Sequence, residues 1–187
     1  MIIGLSGYAQ SGKSTVAKIM VEEFGYEQLA FADGIRRAVF ALNPVIPNGK
    51  TGGWDRLQDL VTKRGWEYTK NNNYEVRRLL QVFGTEVGRE LFDEDIWVQE
   101  LFKVIGQSGA GNYVISDVRF PNEAGAVRAA GGVVWRVVRP FTNRVNEHIS
   151  ESALDDLSFE KIILNNSGFN GLQKQVAAFL EEIDAKN

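Results

Sequence analysis

Eight residues near the start of the sequence narrow the choice of fold: Gly7-Tyr8-Ala9-Gln10-Ser11-Gly12-Lys13-Ser14, which match G-x-x-x-x-G-K-[ST] at every fixed position. They follow an apolar run, Ile2–Ser6, and open an amphipathic run, Gly12–Phe24, with Gly25 as its expected C-cap. This strand–loop–helix context is the one that the motif requires, and a chance match is on the order of one in a hundred. The sequence therefore predicts an α/β fold with a phosphate-binding loop after its first strand.

The residue types of this loop suit the phosphates of a nucleotide. Glycines let the backbone wrap so that N–H groups point at phosphate oxygens, and the following helix presents its positive end to the same anion. We expect Lys13 to reach the β- and γ-phosphates and the Ser14 hydroxyl to bind Mg²⁺. The predicted ATP-binding residues here are Gly7, Ala9, Ser11, Gly12, Lys13, Ser14 and Thr15.

The composition excludes several other functions. The 187 residues fit one domain, and a net charge of -3 speaks against a general nucleic-acid binder. The absence of cysteine excludes disulfides and thiolate sites, and the single histidine, His148, excludes a histidine-cluster metal site. No apolar run approaches the roughly 18 residues of a membrane span, and we read no signal peptide at the N-terminus. We therefore expect a cytoplasmic protein without a membrane or nucleic-acid partner.

Five short apolar runs indicate the strands of one sheet. Most of them are nearly continuous in apolar residues, as parallel strands covered on both faces are, and helical runs alternate with them. The last helix is predicted over Leu172–Ile183. We expect a three-layer P-loop NTPase fold with a five-stranded parallel sheet. The predicted strands are Ile2–Ser6, Tyr26–Phe31, Tyr113–Asp117, Val133–Val138 and Lys161–Leu164.

The stretch between the second and third strands is predicted to be an insertion. Between Asn43 and Tyr113 the apolar spacing is helical, and residues 44–53 are its most loop-like part. We predict a single domain over residues 1–187, with a core of residues 1–42 and 112–187 and a helical insertion of residues 43–111.

The residues that follow each strand form the candidate site, because ligands of open parallel sheets bind beyond the carboxyl ends of the strands. Charged or hydrogen-bonding groups follow each of the later predicted strands, on the edge that carries the phosphate loop. In strand order they are Asp33, Arg36 and Arg37, candidates for binding the substrate; Asp117, Arg119 and Glu123; Arg139 and Arg144; and Asn166, Ser167 and Gly168, further candidates for binding ATP.

Three of these residues have two interpretations each. Asp117 ends an apolar strand like a Walker-B acid, which holds a magnesium-bound water or orients Arg119; alternatively it is the N-cap of the next helix. Arg119 is predicted to contact phosphate, with a salt bridge to Glu123 as the alternative. Asp33 is either a ligand-binding acid or the N-cap of the helix that follows it.

The insertion places arginines beside neutral hydrogen-bonding side chains. One interpretation is a solvated basic face. The other is a surface for a ligand with both a phosphate and a nucleobase edge, because the planar fork of arginine matches phosphate. Trp97 is either a core residue or a platform on which a base stacks. The candidate ligand-binding residues are Arg77, Arg78, Gln81, Thr85 and Glu86.

Over most of its length the chain resembles the phage-type deoxynucleoside monophosphate kinases, within the nucleoside monophosphate kinase group. The most family-specific string is Asp117-Val118-Arg119-Phe120-Pro121-Asn122-Glu123. The likeness also rests on the phosphate loop, Phe31-Ala32-Asp33, Arg78-Leu79-Leu80-Gln81, Gly84-Thr85-Glu86, Arg89, Asp95, Trp97, Arg139-Pro140, His148-Ile149-Ser150-Glu151 and residues 165–168.

The resemblance implies ATP on the phosphate loop, a deoxynucleotide under the helical insertion, and a short lid over about residues 139–157. It places Arg139 and Arg144 in or beside the lid and makes Glu151 a further substrate contact. Two departures are Ser14, where the family often has Asp, and residues 43–73, which match no part of the pattern and are candidates for setting base specificity. The monophosphate-binding positions that it implies are Gln10, Arg78, Gly84, Trp97, Asp117, Arg119 and Glu123.

The reaction so implied is transfer of the γ-phosphoryl group of ATP to a deoxynucleoside monophosphate, with Mg²⁺ as cofactor. The acceptor oxygen is already ionised near pH 7, so catalysis reduces to positioning and charge neutralisation. Lys13, Arg119, Arg139 and Arg144 are the predicted catalytic residues. The partners are ATP and the monophosphate, and a homodimer is left open.

Two alternatives remain at this point. One is another small-molecule kinase, such as a dephospho-coenzyme A or phosphomevalonate kinase; a hydroxyl acceptor would then need Asp33 or Asp117 as base. The other is a nucleotide-dependent regulator. The N-K-x-D motif of GTPase switches is absent, because Asn165-Asn166-Ser167-Gly168 lacks both Lys and Asp.

Overall fold

The computed structural model of the chain describes residues 1–48, 52–109, 111–140 and 153–185. Within these ranges the strands are Ile2–Ser6 (β1), Glu27–Leu29 (β2), Val45–Asn48 (β3), Gly53–Arg56 (β4), Tyr113–Ile115 (β5), Val133–Val138 (β6) and Lys161–Leu164 (β7). The α-helices are Lys13–Phe24 (α1), Ala32–Leu42 (α2), Leu57–Asn72 (α3), Tyr74–Val82 (α4), Ile96–Gln107 (α5), Pro121–Ala129 (α6) and Gly168–Asp184 (α7), and Phe83–Phe92 is a π-helix.

The chain divides into two compact units. One, the core unit, comprises Met1–Phe31 and Phe102–Asn187; the other, the insertion unit, is Ala32–Leu101. The insertion unit begins at the start of α2, whereas the sequence predicted that the insertion starts at residue 43. It ends within α5, whereas the sequence predicted an end at residue 111.

A five-stranded parallel sheet forms the centre of the core unit, as the sequence predicted. Its strand order is β2-β5-β1-β6-β7, and Ile3 of β1 lies opposite Val114 of β5 and Val133 of β6. The strands β2 and β5 are shorter than predicted. One reason is that the backbone N–H of Phe31 donates to the Asp117 carboxylate at 2.8 Å rather than to a neighbouring strand.

Helices cover both faces of this sheet. Ile3 and Leu5 point to one face, where they are fully buried in a cluster with side chains of α1 and α7. Gly4 points to the opposite face, where a Cβ would meet Val127 of α6 at 3.5 Å. The core unit therefore has the three-layer arrangement expected of a P-loop NTPase fold. The α1 helix ends at Phe24, and Gly25, with a positive φ of 69°, is its C-cap, as the sequence predicted.

The insertion unit contains a hairpin that the sequence analysis missed. The prediction of an all-helical stretch with a loop at residues 44–53 was wrong, because β3 and β4 pair antiparallel there. The hairpin forms because Ile46 is buried with Val39, Leu57 and Val76, so even a short strand adds a side chain to the core of this unit. None of the helices in the described part of the chain is long and apolar enough to cross a bilayer.

Candidate active site

The phosphate loop leaves the sheet at the carboxyl end of β1. Gly7 and Gly12 have φ values of 140° and 109°, in the range that favours glycine. At Gly7 a side chain is excluded sterically as well, because a Cβ would overlap the carbonyl oxygen of Val137. Gln10 also has a positive φ, 63°, so the loop holds one non-glycine residue in the left-handed region.

The carbonyl groups of this loop are bound by protein donors. The Lys13 ammonium donates to the carbonyl oxygens of Gly7, at 2.6 Å, and Tyr8, at 2.8 Å. The Gly12 carbonyl accepts from the first turn of α1, from Thr15 and Val16, both at 3.0 Å. Because C=O and N–H point in opposite directions across a planar peptide, binding the carbonyl of Gly12 fixes the Lys13 N–H on the other side. The first turn of α1 contains no acidic residue, so its positive end is available to an anion.

A cluster around Arg136 fixes the first half of the loop, and the sequence analysis missed it. The Tyr8 hydroxyl donates to Asp155 at 2.8 Å, and Arg136 donates to the same carboxylate oxygen at 2.9 Å. The Arg136 guanidinium also lies 4.9 Å from the centre of the Tyr8 ring and 5.2 Å from that of Phe159. An arginine inside the apolar run Val133–Val138 was the signal that could have revealed this cluster.

The structure excludes one of the two interpretations of Asp117, the N-cap of the next helix. Its carboxylate accepts from the Phe31 N–H and so joins the ends of β5 and β2. It is not the N-cap of α6, because Phe120 occupies that position and the Glu123 side chain binds the N–H groups there. The remaining interpretation, a role for Asp117 toward magnesium or Arg119, stays a prediction.

The Glu123 side chain binds backbone N–H groups within the family-specific string of residues 117–123. Glu123 is 2 % exposed as a whole residue, and its carboxylate accepts from the N–H of Arg119 at 2.6 Å and of Phe120 at 3.1 Å. These bonds satisfy donors at the start of α6 and set the position of the Arg119 main chain. Direct contact of Glu123 with a substrate remains a prediction.

Replacing Glu123 by alanine is expected to lower the free energy of unfolding by about 2 kcal/mol, because two backbone donors lose their acceptor in a buried place. Urea unfolding followed by circular dichroism measures this loss. Glu123→Gln retains one oxygen acceptor and is the matched control, with a smaller expected loss. Equal stability of the parent and the alanine variant would contradict the capping role.

Of the other predicted site residues of the core unit, some are exposed beside the sheet and others lie outside the described residues. Asn166, Ser167 and Gly168 are exposed at the junction of β7 and α7, which begins four residues earlier than predicted. Arg139 follows β6 directly and is exposed. Arg144, His148 and Glu151 lie outside the described residues, as does most of the predicted lid; of residues 139–157, only 139–140 and 153–157 are described.

The predicted arginines of the insertion unit have partners within that unit. The distances are 3.3 Å for Arg36 to Asp33, 3.1 Å for Arg36 to Glu67, 3.2 Å for Arg37 to Glu100, 3.0 Å for Arg78 to Glu75 and 3.3 Å for Arg77 to the Asn71 amide oxygen. Asp33 lies in the first turn of α2, which starts at Ala32, so it is not the N-cap. Gln81 and Thr85 are half-buried, and Glu86 is exposed.

Glu67 pairs with two cations of the insertion unit. It binds Arg36 at 3.1 Å and Lys70 at 3.0 Å. Burial acts to raise the pKa of Glu67, but the hydrogen bonds and charges of Lys70 and Arg36 together outweigh it, so the pKa lies below its ordinary value. Glu67 therefore stays ionised at neutral pH, and its ion pair with Arg36 links α3 to α2 within the insertion unit.

Trp97 lies in the interior of the insertion unit and also lines a cavity. The residue is 6 % exposed, and its indole N–H donates to the carbonyl of Gly84 at 2.8 Å. Gly88 lies directly against the ring, so a Cβ there would approach it to 2.6 Å. The cavity has a volume of about 490 Å³, and its walls are Gly34, Arg37, Ala38, Phe83, Val87, Gly88, Phe92, Ile96, Trp97 and Glu100.

Gly88→Ala is expected to destabilise the protein by about 2 kcal/mol, because the added methyl group must displace the Trp97 ring. Thermal unfolding measures the effect. The matched control is Gly125→Ala in α6, where nothing lies within 4 Å of the added carbon and where a gain of up to about 1 kcal/mol is expected. If both variants unfold alike, the close packing of Gly88 on Trp97 is wrong.

Comparison with known proteins finds a family model, phage proteins and a solved structure that match this chain. A family model described as deoxynucleotide monophosphate kinase matches residues 53–176. The chain is 29% identical over 181 aligned residues to the deoxynucleotide monophosphate kinase of Escherichia phage RB69, covering 93% of this chain and 72% of that protein. It is 25% identical over 241 aligned residues to the deoxynucleoside-5'-monophosphate kinase of Escherichia phage T5, covering 97% and 96% of the two chains. Among solved structures, shikimate kinase from Aquifex aeolicus aligns over 97% of this chain and 96% of its own, with 14% identity and a TM-score of 0.49.

The parallel sheet with a glycine-rich phosphate loop between β1 and α1 defines a protein of the P-loop NTPase class. Within that class the match over residues 53–176 is specific: the chain belongs to the deoxynucleotide monophosphate kinase family. It is therefore a phosphotransferase enzyme, as the sequence predicted.

Proposed function

We propose that the chain transfers the γ-phosphoryl group of ATP to the phosphate of a deoxynucleoside monophosphate. The bond between the γ-phosphorus and the β,γ-bridging oxygen breaks, a bond to the acceptor's phosphate oxygen forms, and ADP leaves with the bridging oxygen. The observation that carries the proposal is a phosphate loop that starts a helix, in a chain that belongs to this family.

The residues of the core unit suit the donor side of this reaction. Lys13 is the cation of the loop, and Arg119 lies at the carboxyl edge of the same sheet, so we assign both to the neutralisation of phosphate charge. We also assign Arg139 and Arg144 to this task, as part of a lid over about residues 139–157. Asn166, Ser167 and Gly168 are assigned to the nucleoside of ATP.

Magnesium fits the donor set of the loop. Ser14 is exposed in the first turn of α1 and offers a hard oxygen ligand, while the phosphates and water supply the rest. When bound, Mg²⁺ would offset charge on the transferring group. The role of Ser14 is to hold the metal next to the phosphate that Lys13 faces.

The cavity of the insertion unit suits the nucleobase of the acceptor. Its volume of about 490 Å³ falls in the usual range for small-molecule sites, and aromatic side chains line it. The ion pair of Arg37 and Glu100 at its wall offers both donors and acceptors to a base edge. The phosphate of the acceptor would compete for Arg78 with its carboxylate partner, Glu75.

An ADP-release assay tests this function. The four common deoxynucleoside monophosphates and their ribonucleotide counterparts are supplied with ATP and Mg²⁺, and at least one deoxynucleotide is expected to stimulate ADP release strongly. Dephospho-coenzyme A and phosphomevalonate are supplied in parallel reactions, and release that responds only to one of these would favour the alternative small-molecule kinases. Sedimentation of the same preparation decides between a monomer and a homodimer.

A further inference from the structure

Asn165, the first residue after β7, reaches the phosphate loop from a distant part of the chain. Its side-chain amide donates to the carbonyl oxygen of Ser11 at 2.9 Å, across 154 residues of sequence. The same amide lies against Gly12, where a Cβ would overlap it. Gly12 is therefore required both by its positive φ and by the position of Asn165.

The contact with Ser11 determines the direction of a neighbouring N–H group. The peptide between Ser11 and Gly12 is planar, so fixing its C=O toward Asn165 fixes the Gly12 N–H toward the opposite side. The next peptide is fixed in the same way, because the Gly12 carbonyl accepts from Thr15 and Val16. Two successive N–H groups, those of Gly12 and Lys13, are thereby held in one orientation at the positive end of α1.

Asn165 is itself held firmly. Its backbone N–H donates to the carbonyl of Val138 at 2.7 Å, which fixes it to the end of β6. The preceding residue, Leu164, is bound on both sides by one amide, because Gln175 accepts from its N–H and donates to its carbonyl, each at 2.9 Å. A side chain supported in this way can set the loop geometry before a ligand binds.

We propose that Asn165 is a positioning residue for phosphate binding: through the Ser11 carbonyl it aims the N–H groups of the loop at the phosphates of ATP. The inference rests on the proposed function only in taking ATP as the ligand of this loop. It differs from a role in binding the nucleoside, for which the exposed residues 166–168 are the candidates.

Binding measurements with two ligands test this inference. Isothermal titration compares ATP with inorganic tripolyphosphate, which has the phosphates but no nucleoside. Asn165→Leu removes the amide at similar size and is expected to weaken both ligands about tenfold, which corresponds to about 1.4 kcal/mol. Asn165→Asp is expected to weaken both further, because a carboxylate then faces the Ser11 carbonyl and the phosphates.

Gln173 of α7 provides the matched control. Gln173→Met removes an amide that binds the Glu23 carboxylate at the surface, and it is expected to leave both affinities unchanged. Loss of ATP affinity with unchanged tripolyphosphate affinity in the Asn165 variants would overturn the inference in favour of nucleoside binding. A lower melting temperature with both affinities unchanged would overturn it in favour of a purely structural role. A parent chain that binds neither ligand would overturn the proposed function, and the inference with it.

Discussion

Lys13→Ala is expected to remove nearly all turnover, with kcat lowered about a thousandfold or more, roughly 4 kcal/mol of transition-state stabilisation. The phosphates of ATP and of the acceptor repel each other as they approach, and Lys13 is the cation that the loop itself contributes. Its ammonium already lies at the loop, bound to the carbonyls of Gly7 and Tyr8, so it needs little reorganisation to meet a phosphate. Steady-state ADP release at saturating concentrations of both substrates measures the change.

A second lysine of the same helix provides the control for this experiment. Lys18 is exposed on α1 and pairs with Glu22 at 3.6 Å, so Lys18→Ala removes the same charge from the same helix without touching the loop. Its kcat is expected to match that of the parent. If Lys13→Ala retains more than about a tenth of the parent kcat with an unchanged melting temperature, Lys13 does not act on the transferring phosphate.

Short-range patterns explain why the sheet and the phosphate loop could be predicted from the sequence. The residue types of the motif from Gly7 to Ser14 indicate the backbone that a phosphate loop needs, and the apolar runs of β1, β6 and β7 are long enough to be recognised as strands. The family resemblance added the activity, which the family match over residues 53–176 confirms. Both inferences used residues that are close together in the chain or strings that are diagnostic by themselves.

The hairpin of the insertion unit is an element that such local sequence patterns do not predict. Four residues per strand, one of them Pro47, give too little alternation to distinguish a strand from a loop. What stabilises the hairpin is the burial of Ile46 against Leu57 and Val76, a tertiary contact that periodicity does not encode. The prediction therefore failed for a physical reason: packing overrode a weak local signal.

Contacts between distant residues were the other omission. The bond from Asn165 to Ser11 and the cluster of Arg136, Tyr8 and Asp155 join segments that no spacing rule connects. In the insertion unit, the carboxylate partners of the predicted arginines come in part from other helices, as Glu100 does for Arg37. A single sequence names the groups that carry charge, but only the fold determines which of them neutralise one another.

Arg119→Ala is expected to lower kcat/KM at least a hundredfold, roughly 3 kcal/mol. The Glu123 carboxylate binds the Arg119 N–H at 2.6 Å, so the main chain from which this guanidinium extends is fixed at the carboxyl edge of the sheet. A fixed arginine neutralises two oxygens of a phosphate at once through its planar fork, and a point charge at the same place does not. Arg119→Lys should therefore restore only part of the loss.

The control for Arg119 lies at the far end of the helix that follows it. Arg128 of α6 pairs with Glu160 at 2.7 Å, so Arg128→Ala is expected to lower stability slightly and to leave kcat/KM unchanged. Comparing the two alanine variants separates loss of a guanidinium at the site from loss of a guanidinium in general. A kcat/KM for Arg119→Ala within about threefold of the parent would remove this residue from the mechanism. The hydrogen bonds of the Glu123 carboxylate would then serve only to cap the start of α6. The neutralisation of phosphate charge would depend on Lys13 and on the arginines assigned to the lid.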